Sequence, residues 1–447
     1  KLKKGIQFHD GAGEMTSVDV QSTLEQTIIP SSTQYNVAFF RSVLDGFDVS
    51  NPYEAVVKLK EPNAEFLNAI SAQGWGGEIA SKAGLEKLGH TPTMQDRPIP
   101  GTGPYTYDGR QQGQWLRFKR VDYKHYRVTP DFPEFEFRII NEASTRMASL
   151  LTGEVHMTAL PTDLQGQAQA QGMKIIPGKV AGLRTFFEWR CCHWDAKKND
   201  WMFESPLLDV RVRKALNKAI DRTALNKAFF QGKAELMYAT QQHPTREGWN
   251  PDWEKRFPAE YGYDPEAAKK LLAEAGYGPG KPLSTNLFVH NLGQYSGSAD
   301  LIEAVAAQWR AVGVQVGLLT TEPGQLTELS RRCATPPTNA AQIIGTSSYL
   351  ILGMKIYNSM SRGDCGGYAD KESDELFYKV SGTLDDKQRD EYARQWGNLQ
   401  YDRFTGIPLF WIPAEIAVNP KFVADYIYPG SVTSTWTHIE NIKAVKK

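Results

Sequence analysis

The chain of 447 residues has only four cysteines, no net charge and no long apolar run. Charged residues interrupt every hydrophobic stretch before it reaches the ~18 residues that a membrane-spanning helix needs. The 51 basic residues are balanced by 51 acidic ones, which excludes a general electrostatic attraction to nucleic acid or to anionic membranes. Recognition must therefore depend on a local site.

The cysteines do not form a metal-binding pattern. Cys191, Cys192, Cys333 and Cys365 include no C-x-x-C pair, so a conventional zinc site is not expected. The neighbours Cys191 and Cys192 cannot easily bridge each other without strain. Cys333 and Cys365 flank one predicted strand and could form a disulfide in an oxidising compartment. Four free, buried thiols are the alternative.

The common signatures of catalysis are also missing. The chain contains no H-E-x-x-H, no G-x-S-x-G and no dinucleotide-binding glycine fingerprint. Residues 276–281 resemble a phosphate loop, but their glycine spacing is too short and Pro282 follows the lysine, which favours a turn. Cys192 and His193 are adjacent on a predicted strand, so their side chains point to opposite faces and make a poor nucleophile and base. We predict no catalytic residue, no metal site and no cofactor.

The length favours two or three folding units with a sizeable core. Helices alternate with short strands along the whole chain, without internal repeats, which points to sheets covered by helices. The pattern predicts helices over residues 141–151 and 210–230, and strands over 182–194, 342–349 and 407–418. The 11 Trp and 19 Tyr suit a large core and equally a ligand pocket walled by rings.

Helix-starting signals support this interpretation. Thr16 to Asp19 forms a capping-box pattern, and Asp264 with Pro265 supplies an N-cap followed by proline at the first helical position. Asp209 precedes the 210–230 helix, while Gly153 ends the 141–151 helix. These residues fix the predicted boundaries.

Six short segments in a fixed order carry a family resemblance. They are residues 2–11 (LKKGIQFHDG), 16–20 (TSVDV), 101–105 (GTGPY), 151–155 (LTGEV), 209–222 (DVRVRKALNKAIDR) and 407–411 (IPLFW). Together they resemble the family 5 extracellular solute-binding proteins, which capture peptides, nickel complexes, sugars or opines for ATP-binding-cassette importers. Such matches span nearly the whole chain.

The resemblance implies an α/β fold with two lobes joined by a hinge, of the periplasmic-binding-protein type II-like class (cluster C), with an extra subdomain in the first lobe. Residues 1–98 would form the extra subdomain, 99–183 and 419–447 the core of the first lobe, and 184–418 the second lobe. It also implies that an initial strand and helix before residue 1 are missing from this sequence.

The chain would cross between the lobes twice. The resemblance puts these crossings at residues 184–194 and near residues 412–419, two extended segments that can absorb a hinge rotation. Closure of the lobes would exclude water from the solute, so that a few polar groups discriminate strongly.

The implied function is that of a solute-binding receptor without turnover. Such a protein acts in the periplasm, or lipid-anchored on the outer face of the cytoplasmic membrane, and delivers a small polar or peptide-like ligand to the permease of an importer. We expect a monomer that binds no nucleic acid. The alternative is a hydrolase or another enzyme that uses the same cleft, which would hold a perturbed catalytic acid or nucleophile.

The candidate ligand contacts lie on the predicted hinge strand, after the 342–345 segment and near the chain's end. On residues 186–190, alternation puts Phe186, Glu188 and Arg190 on one face and Phe187 and Trp189 on the other, so only one set can line a site. The candidates, each with a role in the core or hinge as its alternative, are Trp189, Arg190, Ser347, Ser348, Tyr349, Trp411 and Trp75.

One departure from the family concerns the ligand class. Peptide-binding members carry an aspartate-rich loop after the strand equivalent to residues 342–345, where the acid pairs with the peptide's ammonium group. Here residues 346–353 read TSSYLILG, without an acid. An unpaired buried ammonium costs several kcal/mol, so we expect a neutral polar ligand such as a sugar, an opine or a modified peptide.

Overall fold

The structure is a computed structural model. It describes residues 1–30, 32, 37–71, 77–88, 98–178, 183–189, 192–195, 197–289, 297–321, 339–346, 354, 368–427 and 438–446. Its α-helices are α1 (Ser17–Ile28), α2 (Val37–Val43), α3 (Phe66–Ala69), α4 (Lys82–Leu88), α5 (Ala143–Thr152), α6 (Thr162–Ala170), α7 (Val210–Lys218), α8 (Arg222–Phe230), α9 (Asp252–Glu260), α10 (Pro265–Glu274), α11 (Ser298–Ala311), α12 (Lys371–Gly382) and α13 (Asp386–Asp402).

The strands alternate with these helices, as the sequence pattern predicts. They are β1 (Leu44–Asn51), β2 (Glu54–Leu59), β3 (Tyr105–Gln111), β4 (Trp115–Arg120), β5 (Glu134–Arg138), β6 (Met157–Thr158), β7 (Lys174–Pro177), β8 (Leu183–Trp189), β9 (Trp194–Asp195), β10 (Asp200–Trp201), β11 (Glu235–Leu236), β12 (Ser284–Val289), β13 (Gln315–Thr320), β14 (Asn339–Thr346), β15 (Gly406–Ile412), β16 (Glu415–Val418), β17 (Val423–Tyr426) and β18 (Ile442–Ala444).

The predicted helix caps are present. Thr16 and Asp19 form the capping box of α1, and the Asp264 carboxylate accepts the backbone N–H of Ala267 at 2.9 Å to begin α10. Gly153 adopts a left-handed conformation (φ 80°) and ends α5, a conformation that favours glycine. The local signals in the sequence therefore fix where these helices start and stop.

The largest sheet has six strands in the order β11-β15-β8-β14-β12-β13. Strand β12 pairs in parallel with β13 and β14, whereas β8 pairs antiparallel with β14 and β15. Helices α7, α8, α10 and α11 supply Leu216, Leu225, Leu272 and Trp309 to the apolar core on one face of this sheet. Burial of those side chains at about 25 cal/mol per Å² of apolar surface is the main stabilising force.

The other strands form smaller sheets. β3, β4 and β5 make a three-stranded antiparallel sheet, and β16 lies between β6 and β7 in another. Near the start of the chain, β1 and β2 form a hairpin with its own core, which includes Leu24, Phe40 and Phe66. This first region has the separate core that an extra subdomain requires.

The chain passes between the small β6-β16-β7 sheet and the six-stranded sheet twice. The first connection joins β7 to β8, and the second joins β15 to β16. The two connections contact each other at Gly178 and Ala414, where the Gly178 N–H donates to the Ala414 carbonyl oxygen at 2.6 Å. Two adjacent crossings are the arrangement that a hinge needs.

Two predicted elements are each divided in the structure. The single helix predicted over residues 210–230 is two helices, because the Asp221 carboxylate accepts the Ala224 N–H at 2.9 Å and caps α8 anew. The single strand predicted over residues 407–418 is β15 and β16, which belong to different sheets. Both predictions were wrong for the same reason: a favourable hydrophobic pattern continues across a change of direction.

The division into lobes stays a prediction, and the strand pairing bears on its second boundary. Residues Glu415–Val418 pair with β6 and β7, although the boundary at 418/419 would assign them to the second lobe. If the chain crosses between the lobes from Ile412 to Glu415 instead, β15 and β16 each lie in the same lobe as the strands with which they pair. It still falls within the predicted 412–419 segment.

Candidate functional site

Strand β8 is buried along its whole length, and its two faces meet different surroundings. Phe187 and Trp189 pack into the large core under the helices. Phe186, on the other face, forms a small separate cluster with Met237 and Trp411. The alternation predicted from the sequence is therefore confirmed, and it separates two of the candidate tryptophans.

Trp189 lies on the helix-covered face. It is fully buried, and its ring stacks with that of Trp309 at a centroid distance of 6.3 Å. Its indole N–H donates to the Phe404 carbonyl oxygen at 2.8 Å. A buried indole with a satisfied N–H has the features of a core residue. Its proposed role as a ligand contact stays a prediction.

Trp411 lies on the opposite face, next to Arg184. The two residues are directly paired in the register of β15 and β8, so their side chains lie on the same side of the sheet. The indole N–H of Trp411 donates to the Gln242 carbonyl oxygen at 3.1 Å. The His243 ring contacts the indole edge to face, with centroids 5.0 Å apart.

A β-bulge in β15 determines which way Trp411 points. The register with β8 shifts between Pro408 and Phe410, and a bulge inserts one unpaired residue into a strand. Leu409 and Phe410 consequently both contribute to the large core. Trp411 then follows on the other face.

Two arginines converge beside Trp411. Arg184 projects from β8 and hydrogen-bonds to the side-chain oxygen of Gln241. Arg246 projects from the loop that follows β11; its Nη1 donates to the Gln241 carbonyl oxygen at 3.3 Å, and its guanidinium lies 4.9 Å from the Trp411 ring centroid. The geometry is that of a cation–π contact.

Gln241 accepts hydrogen bonds from both guanidinium groups, with its side-chain oxygen from Arg184 and with its carbonyl oxygen from Arg246. It is fully buried and has a φ of 68°, a left-handed conformation that is uncommon for a residue other than glycine. Such strain of about 1–2 kcal/mol persists only where neighbouring contacts stabilise it. The bonds to Arg184 and Arg246 are contacts of this kind.

The electrostatics of the cluster follow from this crowding. Burial, reinforced by the nearby positive charge of Arg184, lowers the pKa of Arg246 to about 9. Both causes disfavour the charged form, yet a group with that pKa remains protonated at neutral pH. Arg246 therefore places a positive charge against the Trp411 ring.

Arg184, Gln241 and Arg246 were not among the residues selected from the sequence. Extending the alternation of residues 186–190 backward by two residues places Arg184 on the face of Phe186, so this signal was available. Gln241 and Arg246 lie in a loop that has no periodic pattern. Nothing in the sequence alone brings them to Trp411.

The remaining predicted contacts lie outside the described residues. They are Arg190, Ser347, Ser348, Tyr349 and Trp75. Ser347 follows directly after β14, whose Gly345 pairs with Arg184 in the register of β14 and β8. The proposal for the serine and tyrosine positions stays open, as does that for Trp75.

Cys192 is disulfide-bonded, which excludes four free thiols. Its partner lies outside the described residues, as Cys191, Cys333 and Cys365 all do. The predicted Cys333–Cys365 bond is compatible with this observation only if Cys191 and Cys192 bridge each other. That pairing stays a prediction.

A cavity of about 690 Å³ lies elsewhere, between β5 and β6. Its walls include Phe137, Arg138, His156 and Met157, and neither of the two predicted contacts within the described residues, Trp189 and Trp411, lines it. Within the described ranges, no cluster of three or more His, Cys, Asp or Glu side chains is arranged to bind a metal ion. In the same part of the chain, no helix combines the length and apolarity needed to cross a bilayer.

Comparison with known proteins determines the family. The profile of the bacterial extracellular solute-binding proteins, family 5 Middle, matches residues 1–336. The chain belongs to this family. The resemblance that was recognised from the six sequence segments is thereby confirmed.

Curated relatives match about half of the chain. The oligopeptide-binding protein AppA of Bacillus subtilis (strain 168) is 26% identical over 243 residues, covering 53% of this chain and 41% of the relative. The glutathione-binding protein GsiB of Escherichia coli O157:H7 is 26% identical over 236 residues, covering 52% of this chain and 42% of the relative. The matched part thus spans about two fifths of each relative's length.

Solved structures share the fold over the whole chain. AppA from Bacillus subtilis in complex with a nonapeptide has a TM-score of 0.78 at 22% identity, covering 100% of this chain and 86% of that one. NikZ from Campylobacter jejuni with Ni(L-His) has a TM-score of 0.77 at 17% identity, with 99% and 86% covered. AgaA from A. tumefaciens R10 with agropinic acid has a TM-score of 0.75 at 18% identity, with 99% and 86% covered. The predicted two-lobed α/β fold is confirmed.

Proposed function

We propose that this protein is the solute-binding receptor of an ATP-binding-cassette importer and captures a small polar solute by hinge closure. The observation that carries the proposal is the Arg184–Trp411 pair, which lies at the end of the six-stranded sheet where β8 begins and β15 ends. Both strands connect there to the hydrogen-bonded crossings at Gly178 and Ala414. A solute bound at this end touches the part of the fold that a closing motion rearranges.

The family supports a binding role, and the relatives show how broad that role is. AppA was solved with a nonapeptide, NikZ with Ni(L-His) and AgaA with agropinic acid. Since one fold serves these different solutes, the solute must be inferred from side chains rather than from the fold. We propose that the protein releases its solute chemically unchanged and is not an enzyme.

Location and partners follow from the same proposal. The protein acts on the outer side of the cytoplasmic membrane, free in the periplasm or lipid-anchored, and docks as a monomer on a permease. Residues 1–98 form an extra subdomain, residues 99–183 and the chain after the second crossing form the rest of the first lobe, and the six-stranded sheet forms the second. Closure would bring the first lobe over Trp411.

Native mass spectrometry of the protein as purified tests the receptor function. We expect one solute per chain, released on denaturation with the same mass after prolonged incubation at 37 °C. Small-angle X-ray scattering before and after the solute is restored should show a smaller radius of gyration in its presence. A solute whose mass changes with incubation time identifies an enzyme instead, and an unchanged radius contradicts hinge closure.

A further inference from the structure

The first region of the chain contacts α12, in addition to the contacts at the two crossings. The backbone N–H of Ala64, which lies between β2 and α3, donates to the carbonyl oxygen of Ser381 at 2.9 Å. Ser381 is the penultimate residue of α12, a helix that packs into the large core through Phe377 and Val380. The hydrogen bond therefore joins the proposed extra subdomain directly to the proposed second lobe.

The same hydrogen bond caps the end of α12. The last four carbonyl groups of a helix have no partner within the helix, and Ser381 carries one of them. The carbonyl oxygen of Lys379 accepts the hydroxyl of Thr383 at 2.6 Å, so the helix end satisfies that group locally. The described donor to Ser381 is instead Ala64, from a different part of the fold. Separation of the two parts would leave the Ser381 carbonyl group to water.

Local hydrogen bonds shape the turn that presents Ala64. The side-chain oxygen of Asn63 accepts the Glu65 N–H at 3.0 Å, and the Asn63 carbonyl oxygen accepts the Phe66 N–H at 3.4 Å. Glu65 and Phe66 are both buried. The turn thus depends on its own residues rather than on α12, and its N–H donor is in place before the two parts meet.

No shared apolar core accompanies the contact in the described part of the chain. Phe66 belongs to the small core of the first region, whereas Phe377 and Val380 belong to the large core. A backbone hydrogen bond that water can replace adds little net stability, and parts of a chain that share no large apolar interface move relative to each other. The contact is therefore of a reversible kind.

The two lobes also meet beside the crossings. Lys233, which follows α8, has its Nζ 3.7 Å from the Glu415 carboxylate, where the second crossing enters β16. A rotation about the crossings preserves contacts at its axis and separates those away from it. Ala64 and Ser381 have no described hydrogen bond to either crossing, so this contact is free to separate when the lobes rotate.

We propose that the Ala64–Ser381 contact is a latch, which forms when the lobes close, breaks when they open, and slows release of the captured solute. The proposal rests on the receptor function and names a regulatory element for it. The latch lies on the proposed extra subdomain, which gives residues 1–98 a role in retaining the solute.

A cysteine pair tests whether the contact depends on closure. Ala64→Cys with Ser381→Cys replaces a methyl group and a hydroxyl whose oxygen has no hydrogen-bond partner among the described residues, so neither change removes a bond. Three preparations are compared: protein as purified, protein stripped by unfolding in guanidinium and refolding, and stripped protein given back the small-molecule filtrate. Oxidation by copper phenanthroline should cross-link the stripped protein about tenfold more slowly than the other two. Ala64→Cys with Glu375→Cys, at an exposed position of α12, is the matched control and should cross-link slowly in all three.

Release of the co-purified solute measures the effect on function. Ala64→Pro removes the N–H donor and should speed release by about fivefold, as followed by mass spectrometry after dilution. Rebinding of the filtrate should keep its rate, since a latch acts only after closure. Ala64→Ser keeps the donor and should behave as wild type. If circular dichroism shows that Ala64→Pro is misfolded, the oxidised cysteine pair decides: it should retain its solute through dialysis until it is reduced.

Equal cross-linking rates in the three preparations, no cross-link in any of them, or equal release from the oxidised and reduced pair overturns the latch. An intact co-purified solute would then still support the receptor function. If no solute co-purifies, the receptor function loses its support and X-ray scattering decides on the latch. The oxidised pair should have a smaller radius of gyration than the reduced pair, and an equal radius marks a permanent junction instead.

Discussion

Arg184 and Trp411 are cross-strand partners at the end of the six-stranded sheet, and both side chains are buried. The pair combines a charge and an indole on one face of the sheet. In the described part of the chain, the buried apolar residues of that face form only the small cluster of Phe186, Met237 and Trp411, whereas the opposite face packs into the large core that includes Trp309. A buried charge is costly unless other groups of the protein hydrogen-bond to it, and Arg184 hydrogen-bonds to the side-chain oxygen of Gln241. This pair is the centre of the proposed site.

The two buried tryptophans of neighbouring strands should respond differently to the same substitution. Trp189→Phe and Trp411→Phe each remove an indole N–H that donates to a carbonyl oxygen, of Phe404 and Gln242 respectively. Each should lower the free energy of unfolding by about 1–3 kcal/mol, since a buried acceptor loses its partner. Only Trp411→Phe should also weaken solute binding in calorimetry. Equal solute affinities of the two variants would contradict the proposal that the solute binds on the Trp411 face of the sheet.

Asp209→Ala should destabilise α7 by about 1 kcal/mol in urea unfolding at pH 7, because the Asp209 carboxylate accepts the Arg211 N–H at 2.9 Å as the N-cap. Asp209→Asn is the matched control, since it can cap without the charge. The side-chain hydrogen bond from Arg211 lowers the pKa of Asp209.

This lowered pKa gives the Asp209 contribution a definite pH dependence. Because the folded-state pKa lies below the unfolded value, the charged carboxylate stabilises the protein above about pH 4. That contribution is lost as the pH falls through the folded-state pKa. The stability difference between wild type and Asp209→Ala should therefore shrink at acidic pH, while a difference that grows on acidification would contradict the linkage.

Gly153→Ala should destabilise the protein by more than 1 kcal/mol. Gly153 has a φ of 80°, and a Cβ there would lie 2.9 Å from Cε2 of Phe422, so strain and a steric clash add to each other. Gly166→Ala is the control: it lies in α6, where an added Cβ meets nothing within 4 Å, and should stabilise by about 0.5–1 kcal/mol. Thermal unfolding of both variants measures the contrast.

Reduction of the protein should lower its melting temperature, because the Cys192 disulfide constrains the unfolded chain by about 2–4 kcal/mol. Peptide mapping without reductant should recover Cys192 in a cross-linked or internally bridged peptide. The same map tests the Cys333–Cys365 pairing, which requires a Cys191–Cys192 bridge. Recovery of Cys192 as a free thiol in oxidised protein would contradict the assignment.

Much of the fold could be predicted because its signals are local. The Thr16 capping box, the Asp264 N-cap and the two-face pattern of β8 all depend on residues that are close in sequence. The split of the 210–230 helix was missed because Asp221 lies within a continuous apolar pattern and acts as a cap only once the chain turns. Local patterns do not encode that turn.

The site was harder to predict because it depends on contacts between distant residues. Trp411 was selected for its residue type, yet strict alternation from Ile407 would have put it in the core. Arg246 reaches the site through a loop whose course depends on a strained conformation at Gln241. Such positions are fixed by tertiary contacts, which sequence periodicity does not report.

The bulge in β15 determines which side chains of this strand face the proposed solute site. If the same residues paired without the bulge, even alternation from Ile407 would turn Phe410 toward Arg184 and the Trp411 indole into the hydrophobic interior. A single inserted residue thus selects which aromatic ring a solute meets. A relative whose strand pairs without this bulge would present a different ring on this face without any change in the residues themselves.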